Sequence, residues 1–139
     1  MKQEFYNLQI NTDGQKLYEF TNDTIQWISQ NNFINGILNL SIQHTSASLI
    51  VQENADPDVL IDLIKYFNKL VPMNNKFYTH TAEGKDDMPS HIKATLTNNQ
   101  ISLSIKNGRL LLGTWQGLYL FEHRLENHKR SIIHHFIGN

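Results

Sequence analysis

The 139-residue sequence contains no cysteine. A disulfide framework, thiolate ligation of zinc and a thiol nucleophile are thereby excluded. Net charge is almost absent: 12 Lys and Arg stand against 13 Asp and Glu, a formal charge of −1. With no basic stripe carrying aromatics, neither nucleic acid nor an anionic membrane is an expected partner. No apolar run approaches the roughly 20 residues that cross a bilayer. Residues 1–5 hold no apolar core of a secretion signal, so a cytoplasmic location is the expectation. Nor is there a glycine-rich phosphate loop, because Glu83-Gly84-Lys85 lacks the required glycine and Lys-Ser/Thr spacing.

What is present is a globular composition, 40% hydrophobic and 18% charged. The length suits one domain spanning residues 1–139, large enough to fold without a disulfide or structural metal. Seven histidines among so few basic residues are the compositional oddity.

Periodicity outlines the elements. Tyr6, Leu8 and Ile10 alternate as in a half-buried strand. Asp13-Gly14 is a turn signal, after which residues 16–20 read as the return strand. Thr21 is placed to cap a following helix that buries Ile25, Trp27 and Ile28. Leu38, Leu40, Ile42 and His44 share one strand face by period two, which puts His44 at the end of an inward row. Residues 48–53 read as the antiparallel partner, with Leu49, Val51 and Glu53 on one face. Asp56-Pro57 starts a helix as N-cap and first residue, and Leu60, Leu63, Ile64, Phe67 and Leu70 form its apolar face. A shorter helix is expected from Pro89-Ser90, with His91 in its first turn. Asn107-Gly108 predicts a type I′ hairpin. Residues 130–137 close the chain as a strand with His134 and His135 on opposite faces. Many short strands with two or three helices, not alternating regularly, predict an α+β fold of largely antiparallel, sandwich-like sheets.

Two stretches concentrate chemistry: His44-Thr45-Ser46-Ala47-Ser48 and the loop from Thr79 to His91. His44, His80 and His91 are the candidate ligands of one divalent metal ion, zinc by ligand type, with a fourth position left open. Each could equally be an ordinary hydrogen-bonded histidine. Thr45 and Ser46 offer hydroxyls to a phosphate or cap a turn. Glu53 shares the core-facing row of its strand and is a candidate general base or histidine partner, with Asn54 beside it. Asp86 and Asp87 are candidates for orienting a histidine or handling a proton, or are a solvated pair. Lys85 and Arg124 could hold phosphate. Trp115 and Gln116 suggest an aromatic wall with an amide over a flat ligand, or a core aromatic beside an edge polar residue. The remaining histidines, His123, His128, His134 and His135, read as surface or strand positions.

These segments, together with Glu53-Asn54-Ala55-Asp56-Pro57, Asp86-Asp87-Met88-Pro89-Ser90-His91, Asn107-Gly108-Arg109-Leu110 and residues 113–120 with Glu122, occur in an order that resembles the YjbQ family. The resemblance covers about residues 35 to 138 and more loosely the N-terminal portion. It implies an α+β domain with antiparallel sheets and a homotrimer. It also implies clustered histidines able to hold a metal such as zinc between subunits. The implied activity is that of a secondary thiamine-phosphate synthase, joining hydroxymethylpyrimidine diphosphate to thiazole phosphate with loss of pyrophosphate. Two rival readings stand beside it: a metal-dependent hydrolase of a phosphorylated or amide small molecule, and a non-catalytic trimeric ligand-binding protein.

Overall fold

A computed structural model describes residues 1–139. Eight strands and three helices follow in the order β1 (Lys2–Asp13), β2 (Leu17–Glu19), α1 (Thr21–Gln30), β3 (Gly36–Ile42), β4 (Ala47–Glu53), α2 (Pro57–Leu70), α3 (Asp87–Leu96), β5 (Gln100–Lys106), β6 (Arg109–Leu110), β7 (Gln116–Glu122) and β8 (Asn127–Gly138). The strands form two sheets, one of five in the order β1-β8-β3-β5-β6 and one of three in the order β2-β7-β4. All pairings are antiparallel. This is the expected α+β class.

Alternation of side chains explains the layering. On the large sheet Leu8, Leu38, Leu40, Ile105, Ile132 and Phe136 point inward, and they meet Ala47, Leu49, Leu118 and Leu120 of the small sheet in one core. Strand β7 is buried on both faces from Gly117 onward. Its second face is covered by α2, whose Phe67 meets Phe121 edge-on at 5.5 Å. Helix α1 fills the space beside the large sheet, where Trp27 packs on Phe33 and stacks with Tyr6.

Two pairings differ from the sequence expectation. β2 does not fold back on β1; it pairs with β7, and β1 pairs along its whole length with β8. β4 does not form a hairpin with β3 either, but pairs with β7 in the other sheet. Residues 43–46 therefore cross from one sheet to the other, and His44 stands on that crossing. Local alternation specifies a strand and its faces, whereas the partner is chosen by long-range burial.

Helix starts also differ in detail. Asp56 caps α2 through the Asp58 N–H as expected. Thr21 does not cap α1: its hydroxyl accepts from Leu118 N–H at 2.9 Å and donates to Glu19 at 2.8 Å, tying the helix to β7. Helix α3 begins at Asp87, two residues before the expected Pro89. The Asn107-Gly108 turn has φ of 52° and 74° at its two central residues, as a type I′ turn requires.

Candidate metal centre

The earlier start of α3 puts Asp87 and His91 four residues apart on one helix, hence on one face. His80 arrives from the preceding loop. One ligand atom each from His80, Asp87 and His91 lies within 4.8 Å of the others. Asp87 Oδ2 is 2.5 Å from His80 Nε2 and 3.2 Å from His91 Nε2.

The tautomer of His91 is set by the backbone. Its Nδ1–H donates to the Thr45 carbonyl at 2.9 Å, so in the neutral ring Nε2 carries a bare lone pair. That lone pair faces the Asp87 carboxylate, which is also an acceptor. Two acceptors 3.2 Å apart need a proton or a cation between them. Two imidazoles and one carboxylate suit a divalent transition ion, zinc among them. The His80 side chain is 43% exposed against 3% for Asp87, so the cluster faces solvent on its His80 side and is closed behind Asp87.

Arg124 builds the cluster from behind. Its Nε donates to Asp86 at 2.9 Å, Nη1 to Asp87 at 2.6 Å and Nη2 to the Glu83 carbonyl at 3.0 Å. Burial alone would raise both carboxyl groups. For Asp86 the Leu125 N–H and Arg124 outweigh it, and for Asp87 His80 and Arg124 do, so both stay below the usual carboxylate range. The turn that leads from Glu83 into Asp86 needs glycine: Gly84 has φ of +109°. Arg124 is thus committed to protein acceptors rather than held out to a phosphate, and Asp86 serves that clamp. Lys85 beside it is exposed and makes no hydrogen bond in the protein.

His44 lies outside the cluster. Ser131 N–H donates to its Nε2 at 3.0 Å, which occupies that nitrogen and leaves the proton on Nδ1. Burial, then the Arg130 charge, pushes its pKa below the usual histidine value, so the ring is neutral at physiological pH. His44 and His91 instead form walls of one cavity of about 490 Å³, completed by Thr45, Thr95, Thr97 and Asn99. Ser46 does not reach it; its Oγ accepts from Arg130 Nη2 at 3.0 Å.

The other expected residues lie far away in this chain. Ala47 and Glu53 mark opposite ends of β4, and six residues of strand span about 20 Å. At the far end Glu53 accepts from Asp56 N–H, Asn54 donates to Glu19, Gln116 accepts from Gly113 N–H, and Trp115 is 63% exposed. Glu53 closes the turn into α2, away from His80 and His91 of the same chain.

Several polar residues carry interactions that the sequence does not signal. Glu122 on β7 and Arg130 on β8 form a buried ion pair between the sheets, with Thr12 also donating to Glu122. No spacing signal exists for a pair on strands of different sheets. His134 lies on strand β8 as expected, but both it and His123 are fully buried rather than at the surface. Burial pushes His134 down to about 4, and burial with the charges of Lys93 and Arg130 pushes His123 down to about 3. Glu83 brings a carboxylate oxygen to 3.9 Å from His80 Nε2. The Asp87-x-x-x-His91 spacing was the one signal that could have found the cluster, had the helix been started at Asp87.

The family described as UPF0047 protein YjbQ-like matches residues 6–139. The chain belongs to the YjbQ family. A UPF0047 protein of Synechocystis is 49% identical over 132 residues, covering 94% of this chain and 89% of the relative. The YjbQ protein of Salmonella typhimurium is 50% identical over 98 residues, 70% of each chain. Among solved structures, an uncharacterised YjbQ family protein of Clostridium acetobutylicum superposes with a TM-score of 0.84 at 30% identity, covering 96% of this chain and 99% of that one. This YjbQ-family chain has no helix long and apolar enough to cross a membrane.

Proposed function

We propose that this chain is a cytoplasmic, cation-dependent enzyme acting on a phosphorylated small molecule, with the chemistry of a secondary thiamine-phosphate synthase. The observation that carries the reading is the His91 Nε2 lone pair, fixed by Thr45, set against the Asp87 carboxylate with His80 beside both. A divalent ion there, zinc by ligand chemistry, would supply Lewis-acid stabilisation of a departing pyrophosphate. The protein's part is to hold the ligands. Arg124 keeps Asp87 ionised and in place, the Thr45 carbonyl keeps His91 in its coordinating tautomer, and Lys85 is free to meet a phosphate at the rim.

Synthesis by loss of a leaving group needs no general base held against water, and Asp87 is already used as a ligand. A hydrolase reading is favoured by one observation only, the Glu83 carboxylate 3.9 Å from His80, which could take a proton from an attacking water. The homotrimer belongs to the same proposal: Trp115 and Gln116 could reach the cation only from another copy of the chain.

Metal analysis of the purified protein tests the reading. Zinc bound one per chain, and lost in His80→Ala and in His91→Ala with the fold retained, is expected. Protein that binds no divalent ion, or that keeps it in both variants, overturns the proposal. Product from the two thiamine precursors, against release from one phosphorylated substrate alone, separates synthase from hydrolase.

A further inference from the structure

Residues 43–46 carry the chain from β3 to β4 and make no backbone-to-backbone hydrogen bond. On either side of them the chain is fixed to the segment that follows α3. Ile42 N–H donates to the Asn99 carbonyl at 3.0 Å, and Leu49 N–H to the Asn98 carbonyl at 2.6 Å. The crossing thus hangs between two anchored points with no ladder of its own, and Gln43 and Thr45 are exposed. Peptide groups in such a segment satisfy themselves in water unless side chains direct them. Yet the Thr45 carbonyl receives His91 Nδ1–H at 2.9 Å.

Its orientation is set by the residues on either side. The His44 ring accepts from Ser131 N–H at 3.0 Å. Ser46 is gripped by Arg130, whose Nη2 donates to Ser46 Oγ at 3.0 Å and to the Ser46 carbonyl at 3.3 Å. Arg130 is 4% exposed and cannot follow a moving loop. Glu122 holds its Nε at 2.7 Å and its Nη2 at 2.5 Å, and itself takes bonds from the Thr12 hydroxyl and Arg124 N–H. Both neighbours of Thr45 are therefore tied to adjacent residues of β8, which leaves the peptide between them little freedom.

The neutral His91 ring has one proton and two acceptors, the Thr45 carbonyl at Nδ1 and Asp87 Oδ2 at 3.2 Å from Nε2. A carboxylate is the stronger acceptor, so the proton stays on Nδ1 only while the carbonyl keeps its place. When the carbonyl turns away, the proton moves to Nε2 and closes that lone pair to a cation.

We propose that Arg130, braced by Glu122, and His44 are positioning residues for the candidate metal centre: they hold the Thr45 carbonyl against His91 Nδ1 and so keep His91 Nε2 free. The proposal rests on the cation reading of His80, Asp87 and His91. His44 then serves the centre through the backbone, without ligating the ion.

Two readouts test this on the full-length protein. Ring-nitrogen NMR of the zinc-free protein at alkaline pH, where imidazole is neutral, reports the His91 tautomer. Competition with a chromophoric chelator reports zinc affinity. Wild type is expected to carry the His91 proton on Nδ1. Arg130→Lys keeps a charge for Glu122 but loses the planar fork that spans Glu122 and Ser46. His44→Ala removes the acceptor of Ser131 N–H. Each should move the His91 proton toward Nε2 and weaken zinc about tenfold or more, as loss of groups that orient metal ligands does. His44→Gln, whose side-chain oxygen falls near the Nε2 position, should restore both readouts. Ile105 is buried and pairs with Gly36, at the end of β3 away from the crossing. Ile105→Val should lower the urea midpoint and leave both readouts as in wild type, which separates positioning from general loosening of the fold. An unchanged tautomer in both Arg130→Lys and His44→Ala, no restoration by His44→Gln, or the same shift in Ile105→Val overturns the proposal. Tautomer shifts in a protein whose wild type binds no zinc refute the cation reading and not the positioning of His91. Zinc binding untouched by Arg130→Lys and His44→Ala refutes the positioning role and not the cation reading.

Discussion

Asp87→Asn is the most informative single substitution. The Asp87 side chain is 3% exposed, with Oδ2 toward both histidines and Oδ1 taking the Arg124 bond at 2.6 Å. The amide has the same shape but no charge, and its NH2 can turn toward His91 Nε2, filling with a hydrogen the place where the proposed cation would sit. Removing partners of metal ligands costs about 10-fold to 100-fold in affinity; loss of a ligand itself should reach at least the upper end, about 2.7 kcal/mol. Stability should also fall in metal-free protein. Arg124 keeps Asp86 but loses half its countercharge, worth about 1.5–3 kcal/mol for a hydrogen bond to a charged group. Zinc affinity by competition with a chromophoric chelator and urea denaturation of the apoprotein give the two numbers. The control is Asp86→Asn, which should lose stability through the same clamp while retaining zinc affinity. Asp87→Asn protein that binds zinc as wild type does, or Asp86→Asn protein that loses zinc equally, would refute the assignment of Asp87 as ligand.

Acid stability should report the buried histidines. His134 has its folded pKa lowered from 6.5 to about 4 by burial, with the Ile132 carbonyl opposing. The unfolded chain then takes up the proton first, so this contribution is complete above about pH 6.5 and is lost as pH falls toward 4, on the order of 3 kcal/mol in all. His134→Leu should flatten that part of the urea-midpoint profile; an unchanged slope would contradict the burial argument. Across the sandwich, Arg130→Met should cost about 3–5 kcal/mol because Glu122 is left buried and charged. Adding Glu122→Gln should recover part of that loss, and strictly additive costs in a double-mutant cycle would mean the pair is not coupled.

The strands and helices were legible because their causes are local. Alternation at Leu38, Leu40 and Ile42, the Asp56-Pro57 start and the Asn107-Gly108 turn each act over a few residues, and each is found where expected. The start of α3 was misplaced because Pro89 tolerates the first turn of a helix wherever in that turn it falls. That shift of two residues concealed the Asp87–His91 face. His80 and His91 were singled out because histidines bracketing an acidic loop are unusual in composition, but nothing local distinguishes them from the buried His123 and His134.

The sequence by itself determined the class of fold, the element boundaries to within a turn, the family and the stretch, Thr79 to His91, that holds the candidate cluster. Tertiary structure alone decided which atoms are available. Thr45, 46 residues from His91, selects the tautomer of that ring, and Ser131, 87 residues from His44, takes away the nitrogen that would otherwise bind a metal. Both choices are made by single backbone groups brought close by sheet pairing and by the crossing between sheets. No pattern in the residues themselves encodes a hydrogen bond whose partner is a peptide group far along the chain.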